Sequence, residues 1–366
     1  LFSLSLLSSL FSLSLSLSHA LTSFSHRRTQ HTHTHHHHHH HYHHENFDKH
    51  CLTLSMQDFS AYKRRYGKDR INCWVPVHGA QFNLRVGPNY ARNKRKEPSL
   101  QSLYEVDTYD LFRAGQKHRN LYKRCAQPSG VSEPGVLGIP RRFVVTVMLP
   151  DCMPGNPLWG NDTADGATLM FVISASLRPE YLAALEALQT LEVESKRGDL
   201  TADEADEIVA TRAAVRAKLP PSIDLLRRFV AESSTDKNMG NRFKLMADIR
   251  NFDESGLDSW SKSVLRRYNA KPCLTRPQHE FFVGPSLTYF EVCVDVHQFA
   301  FFARRVLNGI RHLLDGVNTN VGFCIEAQPD EEQPEQMLMC FGARKISREC
   351  EDVLDWPFGK KHPDYV

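Results

Sequence analysis

Two nine-residue apolar runs, Arg141–Leu149 (RRFVVTVML) and Ala167–Ala175 (ATLMFVISA), constrain this chain more than any other feature. Both are rich in β-branched and aromatic side chains and both are far too short to cross a bilayer as helices, so they read as buried strands. The segment between them carries Pro150, Pro154, Gly155, Pro157, Gly160 and Gly166. That density of breakers ends both strands and makes a hairpin with a long connection the natural arrangement. A chain holding such a pair must build a sheet and cover its apolar surface.

The remaining pattern is consistent with this start. Phe82–Gly87 (FNLRVG), stopped by Gly87-Pro88-Asn89, and Leu103–Phe112 read as further strands, as do Arg242–Ile249, Glu280–Val283, Leu287–Val296, Val321–Ala327 and Met337–Ala343. Pro179–Lys218 changes character and becomes rich in Ala, Glu, Leu and Arg. A break at Arg197-Gly198-Asp199, and Thr201 with Glu204 three residues later, predict two helices forming a charged hairpin. Ser259–Tyr268 reads as a short helix. Gln298–Val317 reads as a longer one, with Phe299, Phe302, Val306, Ile310 and Leu313 along one face. Strands dominate without alternating strictly with helices. The expected fold class is therefore α+β: a largely antiparallel sheet with packed helices and an inserted helical hairpin at 179–218.

The first 55 residues follow other rules. Leu and Ser alternate through Leu1–Leu21, His35–His41 is an unbroken run of seven, and 14 of the 20 histidines fall within the first 50 positions. Eight serines in the first eighteen residues and the lack of a basic start argue against a signal peptide. A run of one ligand type offers no fixed metal geometry. Residues 1–55 are expected to be a low-complexity leader, disordered or not translated, and the working domain is expected to span 56–366.

Charge is divided unevenly along the chain. Met56–Arg124 holds 15 Lys/Arg against 6 Asp/Glu, whereas Cys125–Val366 holds 27 against 34. A basic N-terminal third suits an anionic partner. The nine cysteines include no CxxC pair, which removes support for a zinc ribbon or a dithiol couple and favours a reducing compartment. GxSxG, HExxH, Walker and GxGxxG motifs are all missing. His118, between Lys117 and Arg119, reads as part of a cationic surface. On Glu291–His297 the period of two puts Glu291, Cys293, Asp295 and His297 on one face, a polar sheet face read as solvated or lining a cavity.

The most informative segment is RVGPNYARNKRKEP, from Arg85 to Pro98. A Gly-Pro turn is followed directly by Arg92, Lys94, Arg95 and Lys96. This block resembles the opening motif of the C-terminal domain of plant Enhanced Disease Resistance 2-like proteins. Three later blocks agree in order: Asn241–Leu245 (NRFKL), Tyr289–Val296 (YFEVCVDV), and Phe323–Glu326 (FCIE) with Pro334-Glu335. The resemblance covers about Trp74 to Ile346. Asn93 stands where the family usually has Asp, and Ser286 where it usually has Asn. In plants this domain commonly follows a pleckstrin-homology domain and a lipid-transfer domain of the steroidogenic-acute-regulatory type. Those proteins are associated with membranes and with restraint of defence-linked cell death, and the domain has no accepted enzymatic reaction. Neither lipid domain is expected in the residues given before Trp74, so only the domain-level property is carried over.

The resulting expectation is a noncatalytic domain, with no cofactor and no metal, that binds an anionic lipid or membrane surface and is cytoplasmic and peripheral to membranes. Its lipid- or anion-binding residues are expected to be Arg85, Arg92, Lys94, Arg95 and Lys96, with Lys117, Arg119, Lys123 and Arg124 as a second cluster. Two alternatives stand beside it. One is a protein-interaction scaffold using the insert 179–218 and the acidic turn 330–335; the other is a cryptic enzyme at the polar strand face 291–297. Nucleic acid is not an expected partner, because the basic third has few interleaved aromatic platforms.

Overall fold

The two apolar runs pair as predicted and form the centre of the larger sheet. In the computed structural model, which describes residues 54–55, 73–126, 133–150, 168–274, 279–299, 304, 316–346 and 354–355, the strands are β1 Cys73–Pro76, β2 Asn83–Arg85, β3 Lys96–Pro98, β4 Tyr104–Ala114, β5 Arg142–Pro150, β6 Thr168–Leu177, β7 Phe243–Ile249, β8 Pro272–Leu274, β9 His279–Val283, β10 Tyr289–Asp295, β11 Asn318–Ile325, β12 Met337–Arg344 and β13 Leu354–Asp355. The longer helices are α1 Pro179–Glu194, α2 Ala202–Arg216, α3 Ser222–Glu232 and α4 Ser259–Tyr268.

A six-stranded sheet runs β9–β10–β5–β6–β4–β13 and a five-stranded sheet runs β8–β7–β11–β12–β1. Antiparallel pairing predominates; β10 with β5 and β13 with β4 are parallel. The hairpin partners β5 and β6 are in register with Val145 opposite Ile173. The helices stand outside this alternation, so the fold is α+β.

The sheets bury apolar faces against each other. Tyr109, Phe143, Phe171, Phe290 and Val292 meet Phe243, Phe323, Met339 and Phe341 in one core, with Leu225, Leu226 and Phe229 of α3 packed into it. Tyr109 and Phe341 lie 5.3 Å apart, Phe243 and Phe323 5.6 Å, and Phe229 and Phe290 5.9 Å between ring centroids. Such aromatic pairs add to their area burial. The insert folds as expected. Thr201 Oγ1 accepts the Glu204 amide at 3.3 Å, and the Thr201 amide donates to Glu204 Oε2 at 2.8 Å, a complete capping box.

The outer face of the five-stranded sheet sets the position of the candidate site. Phe82 and Leu84 alternate inward along the start of the β2–β3 ribbon and pack on Met246, Cys324, Met337 and Cys340. Burying two side chains of this size contributes about 1.5–3 kcal/mol each. Gly322 permits the contact: a Cβ there would lie 2.1 Å from Met337 Cε and 3.1 Å from Phe82 Cε2.

The described residues belong to one unit, Leu52–Val366. Among them, no helix is long and apolar enough to cross a membrane. The expected leader, apart from 54–55, lies outside the described residues, as does most of the expected helix Gln298–Val317.

Candidate functional site

Four sequence blocks far apart in the chain meet at the base of the β2–β3 ribbon. Arg85, at the end of β2, sends Nη1 to Glu326 Oε1 at 2.8 Å and to the Ala327 carbonyl at 3.4 Å, with Nε 3.7 Å from Glu335 Oε1. Lys244 of β7 donates to Glu335 Oε1 at 2.8 Å and lies 3.7 Å from Glu326 Oε2. Its side chain is only 2% exposed. The same Glu335 oxygen accepts the Ala327 amide at 3.0 Å. Burial alone pulls the Arg85 guanidinium pKa down; Glu335 and Glu326 together outweigh that, so the net shift is upward.

A second cluster adjoins it. Buried Glu332 accepts Arg242 Nη1 at 2.9 and 3.0 Å, Arg228 Nη1 at 2.8 Å and the Gln328 amide at 2.9 Å. Asp330 takes the Asn89 amide at 2.9 and 3.0 Å on its two oxygens. Of the acidic turn read as an interaction surface, Asp330 and Glu331 are exposed and Glu332 and Glu335 are buried. Its Glu332 and Glu335 point into the fold, where Glu335 meets the buried Lys244 of β7 and Glu332 meets Arg242, just before β7, and the exposed Arg228 of α3.

This anchoring holds the tip of the ribbon, a single-turn helix Tyr90–Asn93. Asn93 Nδ2 donates to the Pro88 carbonyl at 2.9 Å, and its Oδ1 accepts the Arg95 amide at 2.8 Å. An aspartate could make only the second bond, which gives the departure at this position a physical meaning. Asn89 and Lys94 flank the turn in the left-handed region, at φ 62° and 54°.

The predicted cations divide into three groups. Arg85 and Lys117 are consumed internally: Lys117 pairs with Asp295 at 3.0 Å and is 7% exposed. Arg85 and Lys117 are thus corrected from surface contacts to buttresses. Arg95 pairs with Glu97, and Arg119 with Glu280 at 3.0 Å, both at exposed sites worth little to stability. Arg92, Lys94 and Lys96 are exposed, and no carboxylate among the described residues lies within ion-pair distance of them. Lys94 Nζ sits 5.5 Å from the Tyr90 ring centroid and Arg85 Cζ 4.9 Å from it. Lys123 is exposed, and the Arg124 side chain lies outside the described residues. The ribbon cluster and the 117–124 cluster belong to different layers: the first sits on the five-stranded sheet, while Leu121 and Tyr122 pack on the six-stranded one.

The polar strand face at β10, read as solvated or lining a cavity, is not solvated: its four polar side chains are buried. Glu291 is fully enclosed and accepts the amides of Leu121 and Tyr122 at 3.1 and 3.0 Å, Thr146 Oγ1 at 2.9 Å and the Cys293 thiol at 3.2 Å. Its burial pushes the carboxyl pKa up against those donors. Cys293 is pushed well up by burial and by the adjacent Glu291, so its thiol keeps its proton. Asp295 takes Lys117 and Gln298 Nε2, and the His297 ring meets Thr168 Oγ1 at 3.0 Å. His118, expected on a cationic surface, is buried. Among the described residues no group of three or more His, Cys, Asp or Glu is placed to hold a metal ion.

Sequence reasoning missed the two buried ion-pair clusters. The signal for the first was a charged residue within an apolar strand, Lys244 in β7, and another at the end of one, Glu326 just beyond β11.

Comparison with known proteins agrees with this convergence of blocks. The family model described as Protein ENHANCED DISEASE RESISTANCE 2, C-terminal, matches residues 74–347, and the chain belongs to that family. Neither a curated protein nor a solved structure matches it.

Proposed function

We propose that this member of the ENHANCED DISEASE RESISTANCE 2 C-terminal family is a noncatalytic module that docks reversibly on anionic membrane surfaces through the loop at residues 86–96. The observation that carries the reading is the contrast within the basic segment. Arg85 is spent on fixing the base of the loop, while Arg92, Lys94, Arg95 and Lys96 stand exposed on it. Of the nearest acidic run, 330–335, Glu332 and Glu335 are neutralised by Arg242 and Lys244, while Asp330, held by the uncharged Asn89 amide, and exposed Glu331 keep their charges against the four exposed cations of the loop.

Each cation near an anionic leaflet contributes about 1 kcal/mol. With Arg95 partly spent on Glu97, the loop supplies about 3–4 kcal/mol, or roughly a 10²- to 10³-fold enrichment on a charged bilayer. The cytoplasmic leaflet is the anionic one, so this reading implies a cytoplasmic, peripheral position. The noncatalytic part of the reading is supported by the enclosure of Glu291, Cys293 and His297, whose polar atoms already serve internal partners.

Cosedimentation of the full chain with vesicles tests it. Binding is expected on phosphatidylcholine vesicles containing phosphatidylserine, little on phosphatidylcholine alone, and the difference is expected to vanish as salt shortens the screening length. Equal partitioning onto both vesicle types would overturn the reading.

A further inference from the structure

The helical insert and α3 enclose a trough of about 520 Å³ on a different part of the molecule. Its floor is aliphatic: Leu185 and Leu188 of α1, Leu219, and Ile223 of α3, none more than 7% exposed. One wall is α2, which lines it with Val209, Arg212, Ala213 and Arg216. Their spacing of three, four and seven places them on one helical face. No residue of α2 is buried, and Val209 is 67% exposed although it adjoins an apolar floor. Apolar surface left facing a concave, half-covered space marks a ligand site in many proteins.

The charges at the rim select the ligand. Arg227 holds Asp224 at 2.6 Å and Arg216 also pairs with it. Glu192 is engaged by Lys196 at 3.0 Å. Arg212 forms no salt bridge among the described residues, although its charge acts on Glu192 across the trough, and it lies one turn from Arg216 on the same face of α2. Three arginines face two carboxylates that are already paired. An extended hydrocarbon chain fits within the volume of the trough and on its aliphatic floor.

We propose that the trough binds the hydrocarbon chain of an anionic amphiphile, with the acid head on Arg212 and Arg216. This site is separate from the 86–96 loop, so its success or failure is independent of membrane docking.

Isothermal titration of the full chain with dodecanoate below its micellar range tests the proposal. One dodecanoate per chain is expected, with decanoate weaker by roughly 16-fold because each lost methylene costs about fourfold. Dodecyltrimethylammonium, with the same chain and the opposite charge, is expected not to bind. Arg212→Ala with Arg216→Ala should weaken dodecanoate at least tenfold. Ala213→Trp, at an exposed helical position lining the trough, should abolish binding while the thermal transition stays in place; if that variant fails to fold, Arg212→Glu serves instead. The absence of saturable carboxylate binding, equal binding of the cationic probe, or binding indifferent to these variants would overturn the proposal. Self-association or helical-peptide binding lost in Ala213→Trp, with no dodecanoate uptake, would assign the trough to a protein surface and overturn it too.

Discussion

Lys244→Met isolates the electrostatic joint that fixes the ribbon. The methionine keeps the aliphatic bulk at a site 2% exposed, so the change is mainly the loss of one charge beside Glu335 and Glu326. Removing one member of a buried pair costs about 3–5 kcal/mol, because its partner stays buried and charged. Glu335 retains the Ala327 amide at 3.0 Å and Arg85 Nε at 3.7 Å, which puts the expected cost near the lower bound, about 3 kcal/mol. For a domain of about 315 residues that lowers Tm by roughly 4–6 °C. Urea unfolding followed by far-ultraviolet circular dichroism measures it, with the midpoint falling and the slope unchanged. Adding Glu335→Gln to Lys244→Met should restore part of the loss, giving a coupling of at least about 1 kcal/mol in the double-mutant cycle. Arg95→Ala, which breaks an exposed pair with Glu97, is the control and should cost less than about 1 kcal/mol. If Lys244→Met costs no more than Arg95→Ala, or the two changes at 244 and 335 are additive, the joint does not fix the ribbon.

Three further outcomes follow from individual contacts. Asp110 is buried with no hydrogen-bond partner on either oxygen, and burial pushes its carboxyl well up. A carboxyl whose folded pKa is raised gives stability that is complete below its unfolded pKa and is lost as pH rises toward the folded one. Asp110→Asn should therefore be the more stable protein at pH 8, by at least about 1 kcal/mol, with the gap closing below about pH 4; a gap independent of pH would refute this. Thr201→Ala removes the capping box of α2 and should cost about 1 kcal/mol, seen as faster amide exchange confined to the insert. Asn93→Asp loses the bond to the Pro88 carbonyl and one unit of loop charge, so binding to anionic vesicles should fall about fivefold with little change in Tm.

Local signals were legible in the sequence and long-range cover was not. The β5–β6 hairpin and the helices of the insert follow from neighbouring residues: apolar β-branched runs, breakers, and Thr201 with Glu204. The strand expected over Phe82–Gly87 ends at Arg85, since the Gly87-Pro88 turn leaves the ladder two residues earlier than the apolar pattern suggests. Alternation at Glu291–His297 implied one wet face, as in many antiparallel sheets. Leu121 and Tyr122, 170 residues earlier, lie over that face and donate two amides to Glu291. Lys244 shares its face of β7 with Met246, and only the arrival of the β2–β3 ribbon makes that face an interior. The acidic run 330–335 looked solvated for the same reason: Arg242 and Lys244, its partners, lie about ninety residues away. The cations at 92–96 were visible by composition, but which of the wider set remain free depends on these distant carboxylates.

The most direct test of the docking account replaces Arg92, Lys94, Arg95 and Lys96 together by alanine and measures the partition coefficient on phosphatidylserine-containing vesicles at low salt. None of the four is buried, so the variant should unfold at a temperature close to that of the parent. The expected result is a loss of roughly 10²- to 10³-fold in partitioning. An unchanged partition coefficient would contradict the account.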